Sequence, residues 1–181
     1  MALSGDPDSV EVIDRRRIVV TDPGMPGAVQ PYHRAATLGL SEAETYLAKC
    51  AAASERLALS AIGDAVRELD GRRYRIAGCA VLLASGRPLP PLPKILASHP
   101  LLHTAEGEFF RNAVRNACER LKIAVTATRE RELDDIAKTA FGHAANGVQR
   151  RVASLGKSVG PPWTKDHKAA ALAAAMILAR A

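Results

Sequence analysis

Four carboxylates stand where a site could be built. Asp22 follows the β-branched run Ile18-Val19-Val20-Thr21 and precedes Pro23-Gly24, Glu106 and Glu108 fall in the first turn of one expected helix, and Asp166 falls in the first turn of another. A carboxylate at a strand end projects into the crevice where open α/β sheets hold ligands. Clustered carboxylates bind Mg²⁺, which takes oxygen ligands and keeps waters for a phosphate ester, and a pair of such ions stabilises the attacking and leaving oxygens of phosphodiester hydrolysis. Glu106 and Glu108 are about 200° apart around a helix, so only one of them can face a given site; Glu106, on the face of Phe110, is the expected one. The expected catalytic and Mg²⁺-ligating set is therefore Asp22, Glu106 and Asp166. The same positions also have a structural explanation, since acids in a first helical turn suit the macrodipole and Asp before Pro-Gly is an ordinary turn residue.

A second set lies in the loop and helix start from Lys157 to Lys168. Lys157, Lys165 and Lys168 could hold phosphates, and Trp163, the only indole in the chain, could stack an unpaired base beside them. The alternative for Trp163 is a hydrophobic anchor that packs the loop onto the last helix. Charge favours a polyanionic partner. The chain carries 25 Lys and Arg against 19 Asp and Glu, a formal net charge of +6, and the surplus falls in the half that begins at Arg87. The basic residues are interleaved with alanines, as on an ordinary solvated surface.

Other chemistries find little support. Gly156-Lys157-Ser158 lacks the earlier glycine of a phosphate loop, because Arg151 stands there. There is no Gly-x-Ser-x-Gly elbow. Cys50, Cys79 and Cys118 are far apart, with no metal-ligand spacing, and read as small buried hydrophobes in a reducing compartment. His33, His99, His103, His143 and His167 are scattered; only His99 and His103 are four apart, and Pro100 between them argues against a common helix and against a zinc site.

The elements that would position these residues follow from periodicity and punctuation. Residues 1–14 mix Gly, Pro, Ser and Asp and read as a flexible tail. Strands are expected at Ile18–Thr21, His33–Leu38, Tyr74–Ala84 and Ile123–Thr128. Helices are expected from Ser41 to about Asp70, from Thr104 to Leu121, from Arg129 to Phe141 before Gly142, over about Val148–Leu155, and from the cap Thr164 to Arg180. Arg87–Pro93, with four prolines, is expected to be a stiff extended connector. Alternation of strands and helices predicts one α/β domain over residues 15–181, a layered fold with a mostly parallel or mixed sheet flanked by helices. No run of about 18 apolar residues occurs and the first residues are acidic, so a cytoplasmic protein without a membrane partner is expected.

The run Ile18-Val19-Val20-Thr21-Asp22-Pro23-Gly24 resembles the first strand of the ribonuclease-H-like superfamily, in particular its Holliday-junction-resolvase branch, and the order of later elements is similar over most of the chain. That resemblance implies a Mg²⁺ pair held by Asp22, by Glu106 or Glu108, and by Asp166. The expected function is a divalent-metal-dependent nuclease, a hydrolase, or a nuclease-like nucleic-acid-binding domain. The alternative is a non-catalytic cytosolic α/β binding domain that uses its Pro-rich and Gly-Pro-Pro-Trp loops.

Overall fold

Small residues at helical spacing dominate this chain, and they decide its architecture. The computed structural model describes residues 1–83, 86 and 88–180. In chain order its elements are β1 (Ala2–Ser4), β2 (Glu11–Asp14), α1 (Pro31–Ala35), α2 (Leu40–Gly71), β3 (Cys79–Leu83), α3 (Leu92–Leu96) and α4 (His99–Arg120). They continue with β4 (Val125–Arg129), a 3₁₀ turn (Glu130–Glu132), α5 (Leu133–Phe141), a second 3₁₀ turn (Gly142–Ala144), α6 (Ala145–Ser154), α7 (Gly156–Val159) and α8 (Lys165–Leu178).

The mixed α/β character holds, but the expected layered domain with a mostly parallel or mixed sheet does not: the chain is about 60% helical, with β3 and β4 paired in parallel from Cys79↔Val125 to Leu83↔Arg129 and β1 paired antiparallel with β2. Two expected strands fail for separate reasons. Ile18–Thr21 has irregular backbone; Val19 is 58% exposed, so no sheet neighbour covers the branched side chains that would make a strand worthwhile. His33–Leu38 meets Pro31, which opens α1 at its first position with φ already suited to a helix. Tyr74–Ala84 narrows to Cys79–Leu83, and Ala84, Ser85 and Arg87, on which the end of that strand and the start of the proline stretch were placed, lie outside the described residues. The proline stretch is shorter as a loop than expected, because Pro91 caps α3 and the helix tolerates a proline in its first turn.

The chain divides into two compact units. One comprises Ile18–Arg75 and Ser85–Lys122 and contains α1 to α4. Its spine is α2, whose stripe Ala43, Leu47, Cys50, Ala53, Ala58, Ile62 and Leu69 is buried, as the spacing predicts. The side chain of Glu42 accepts the Gly39 N–H, so the helix is capped two residues before the predicted Ser41. Alongside it runs α4, tied by the Asn116 amide donating to Glu55 Oε1 at 2.8 Å and buried through Leu102, Ala105, Ala113, Ala117 and Cys118.

The other unit comprises Met1–Arg17, Ile76–Ala84 and Ile123–Ala181. Its core joins Leu133, Ala137, Val148, Val152, Leu155, Leu172 and Met176 with Val10. Residues 1–14, expected as a flexible tail, pack within this unit. Val10 is fully buried, Arg151 Nε donates to its carbonyl at 3.0 Å, and the Arg15 guanidinium donates to the carbonyls of Gly160 and Pro162. Helix α8 packs on β3 where Gly78 has no side chain; a Cβ there would lie 3.1 Å from Ile177 and 3.2 Å from the Ala124 carbonyl. Helix α5 ends at Gly142, whose φ of 54° is left-handed, as the sequence indicates. Cys50 and Cys118 are buried, Cys79 is half-buried, and none forms a disulfide.

Candidate metal centre

Prolines place the chemistry of the α1 to α4 unit. Pro31 starts α1 and brings His33 within its first turn. Helix α4 starts at His99, five residues before the predicted cap Thr104, with Pro100 in its first turn. A proline there lacks only an N–H that would have no partner in the helix, so it does not break the helix between His99 and His103. The expectation that Pro100 keeps this pair off a common helix is therefore corrected. His99, His103 and Glu106 recur at i, i+4 and i+7 and lie on one face of α4.

His33, His99 and His103 offer three donor atoms that all lie within 4.8 Å of one another. His99 Nε2 and His103 Nε2 are 3.2 Å apart. A tetrahedral ion with metal–nitrogen bonds of 2.0–2.1 Å holds its nitrogens about 3.3 Å apart. The ring centroids are 4.6 to 5.2 Å apart in edge or tilted arrangements, which leaves the nitrogens, not the ring faces, to converge.

Behind the rings stands Glu106, 7% exposed. Its Oε1 accepts from the backbone N–H of His33 at 3.2 Å and from His33 Nδ1 at 2.8 Å, and its Oε2 lies 3.9 Å from His103 Nδ1. A carboxylate only accepts, so the bond makes His33 Nδ1 the protonated nitrogen and leaves Nε2 with its lone pair free to ligate. Metal-binding histidines are oriented in this way, by a carboxylate on the other ring nitrogen. Three imidazoles suit Zn²⁺, Cu²⁺, Ni²⁺ or Fe²⁺, whereas Mg²⁺ takes hard oxygen ligands. Three protein ligands leave a fourth position for water or substrate, and the exposure of His99 and His103 keeps it open to solvent. Nearby, burial, with the charge of Glu106 adding to it, pushes the Tyr32 phenol above its ordinary value.

The carboxylates named from the sequence have different surroundings. Asp22 Oδ1 accepts the Gly24 N–H at 2.9 Å and its Oδ2 is 3.7 Å from Arg56, so it closes the Asp-Pro-Gly turn. Glu106 is at the centre, as a partner of histidines. Glu108 pairs with Arg111 at 3.4 Å. Asp166 belongs to the other unit, exposed in the first turn of α8. Among the described residues no group of three metal-ligating side chains contains Asp22, Glu106 or Asp166.

The lysine and tryptophan set lies in the unit of β3, β4 and α8. Lys157 is exposed on α7. Lys165 pairs with Glu130 at 2.7 Å, and that hydrogen-bonded carboxylate raises the lysine's pKa. Lys165 and Lys168 line a cleft of about 690 Å³. Trp163 is half-buried; its Nε1 donates to the Val152 carbonyl at 3.2 Å, its ring stacks on His167 at 5.7 Å, and it packs against the core. Among the described residues no helix is long and apolar enough to cross a membrane. No family model, no curated protein and no solved structure matches the chain.

Proposed function

We propose that the chain binds a Zn²⁺-class divalent ion through His33, His99 and His103 and uses the fourth coordination position to activate water. The observation that carries this reading is the 3.2 Å separation of His99 Nε2 and His103 Nε2 in front of a buried carboxylate that orients His33. Glu106 holds the His33 imidazole in place through Nδ1 and sets its negative charge 3.9 Å from His103 Nδ1. A zinc ion with three such ligands lowers the pKa of its bound water to about 7, which supplies hydroxide at neutral pH. His33, His99 and His103 would hold such an ion, and the chemistry it would supply is hydrolysis of a phosphoryl or carbonyl ester by water. The basic surplus from Arg87 onward favours an anionic substrate, and a phosphodiester remains the substrate class this reading takes.

Chelator-stripped protein titrated with Zn²⁺, Mn²⁺ and Mg²⁺ in a calorimeter tests it. Zn²⁺ should bind at one ion per chain, far more tightly than Mg²⁺, and His99→Ala and His103→Ala should each abolish that binding. Failure of Zn²⁺ to bind, or unchanged binding in both variants, overturns the centre. A Mg²⁺ site lost in Asp22→Asn would instead support Asp22 as a metal ligand. Hydrolysis of a single-stranded oligonucleotide or of an activated phosphodiester, dependent on Zn²⁺ and lost in His99→Ala, tests the nuclease reading. Tight Zn²⁺ binding without hydrolysis of either would refute that reading and leave the metal centre standing.

A further inference from the structure

The cleft of about 690 Å³ in the β3, β4 and α8 unit is of the size that holds small organic ligands, roughly 300–1,000 Å³. Three helices build it. Leu133 of α5, Val152 of α6 and Leu172 of α8 form its floor, each no more than 5% exposed.

The charges on its rim are unequally matched. Glu130 is taken by Lys165 at 2.7 Å, and Asp134 accepts from the Gln149 amide at 3.3 Å. Lys168 makes no ion pair among the described residues, and Arg131 reaches only Glu132, at 3.7 Å. Three cations, Arg131, Lys165 and Lys168, thus line the cleft against two acids, and Lys168 stands beside the apolar floor with no ion pair among the described residues.

We propose that this cleft binds a small amphipathic carboxylate, its apolar body on Leu133, Val152 and Leu172 and its carboxylate at Lys168. Burial of the apolar body supplies affinity, and the ammonium of Lys168 donates charge-assisted hydrogen bonds that fix the orientation. A nucleobase is the poorer occupant. Among the described residues no aromatic side chain lines the cleft, and the Trp163 ring is already engaged by the Val152 carbonyl and by His167, so it is not a free stacking platform.

Trp163 is the only indole in the chain, and its bond to the Val152 carbonyl couples it to the cleft floor, so its emission reports on occupancy. The intact chain is titrated with octanoate, with 1-octanol and with acetate, and melting temperature is followed in parallel. Octanoate should shift the emission saturably and raise the melting temperature. Octanol should bind at least about tenfold more weakly, and acetate should not bind. Lys168→Glu, at an exposed position, should weaken octanoate at least about tenfold with the unliganded melting temperature retained. Ala153→Phe, which fills the cleft from another exposed lining position, should abolish binding. Equal binding of octanoate and octanol, octanoate binding unaffected by Lys168→Glu, or no saturation below about 10 mM would overturn the proposal. So would displacement of bound octanoate by an oligothymidylate, which would make the cleft a nucleic-acid site. None of these outcomes depends on whether Zn²⁺ binds the histidines.

Discussion

Glu106→Gln separates a carboxylate that orients metal ligands from one that merely fills space. The substitution is isosteric, and the glutamine carbonyl can still accept from the backbone N–H and Nδ1–H of His33, now at 3.2 and 2.8 Å from Oε1. The amide nitrogen then replaces Oε2, which lies 3.9 Å from His103 Nδ1 and outside hydrogen-bond reach, so the change removes the carboxylate's negative charge from beside the imidazoles while keeping the bonds to His33. Loss of such an outer partner weakens metal binding roughly 10- to 100-fold, or about 1.4–2.7 kcal/mol.

Thermal shift reads the consequence. At a Zn²⁺ concentration 100 times its Kd, the wild type gains about 2.7 kcal/mol of apparent stability, a rise of roughly 8 °C for a chain of this size. With Zn²⁺ unchanged, the variant gains about 0.4–1.4 kcal/mol, a rise of roughly 1–4 °C. Glu108→Gln is the control. Its carboxylate, two residues from Glu106 on the same helix, pairs with Arg111, so its Zn²⁺-induced shift should equal that of the wild type. An undiminished shift in Glu106→Gln would show that the carboxylate does not orient the imidazoles, and would refute the reasoning.

Three further outcomes are expected. Trp163→Ala should cost about 3 kcal/mol on chemical denaturation, at the lower end for a large aromatic because the ring is half-buried, and Trp163→Phe should isolate about 1 kcal/mol for the bond to Val152; near-wild-type stability of the alanine variant would return Trp163 to the role of an exposed stacking ring. Val10→Ala should cost about 2 kcal/mol, because Val10 is fully buried in the core, whereas a neutral effect would restore residues 1–14 to a flexible tail. Burial raises the phenols of Tyr32 and Tyr46 above the ordinary value of 10.0, so the folded state keeps these protons where the unfolded chain loses them. Their contribution is full below pH 10 and is lost as pH rises through the folded values, so the stability difference between wild type and Tyr32→Phe should change above pH 10 and be constant below it, as measured by denaturation across that range.

Elements whose signal is local are legible in the sequence. Helix α2 declares itself through a buried stripe at three- and four-residue steps and through Gly71, and α8 through Thr164, whose Oγ1 accepts the His167 N–H at 3.4 Å. The parallel pair β3 and β4 emerges from two short apolar runs separated by a helical stretch. Two segments fail because distant partners decide their state. Ile18–Thr21 has strand composition but no sheet to join, and residues 1–14 have loop composition but find β-pairing and a core around Val10. Strand preference is a property of a covered, pleated surface, so composition alone cannot tell these two segments apart.

The candidate site shows the same division within a few residues. Glu106 is legible as a special acid from its place near the start of a helix, but its role is not, because its main partner, His33, is 73 residues away in sequence. The histidine pair is a different case. His99 and His103 stand four apart, the spacing that two ligands on one helical face require, and the objection to them rests wholly on Pro100. That objection treats the proline as interior. Read instead as a residue of the first turn, it is a helix-start signal with Ser98 before it, and the helix then begins early enough to carry both histidines. Position within the helix, and not the presence of the proline, decides whether the pair can ligate. The prolines of this unit act consistently in that respect: Pro31, Pro93 and Pro100 each fall in the first turn of a helix, and two of those three helix starts present the histidines that converge.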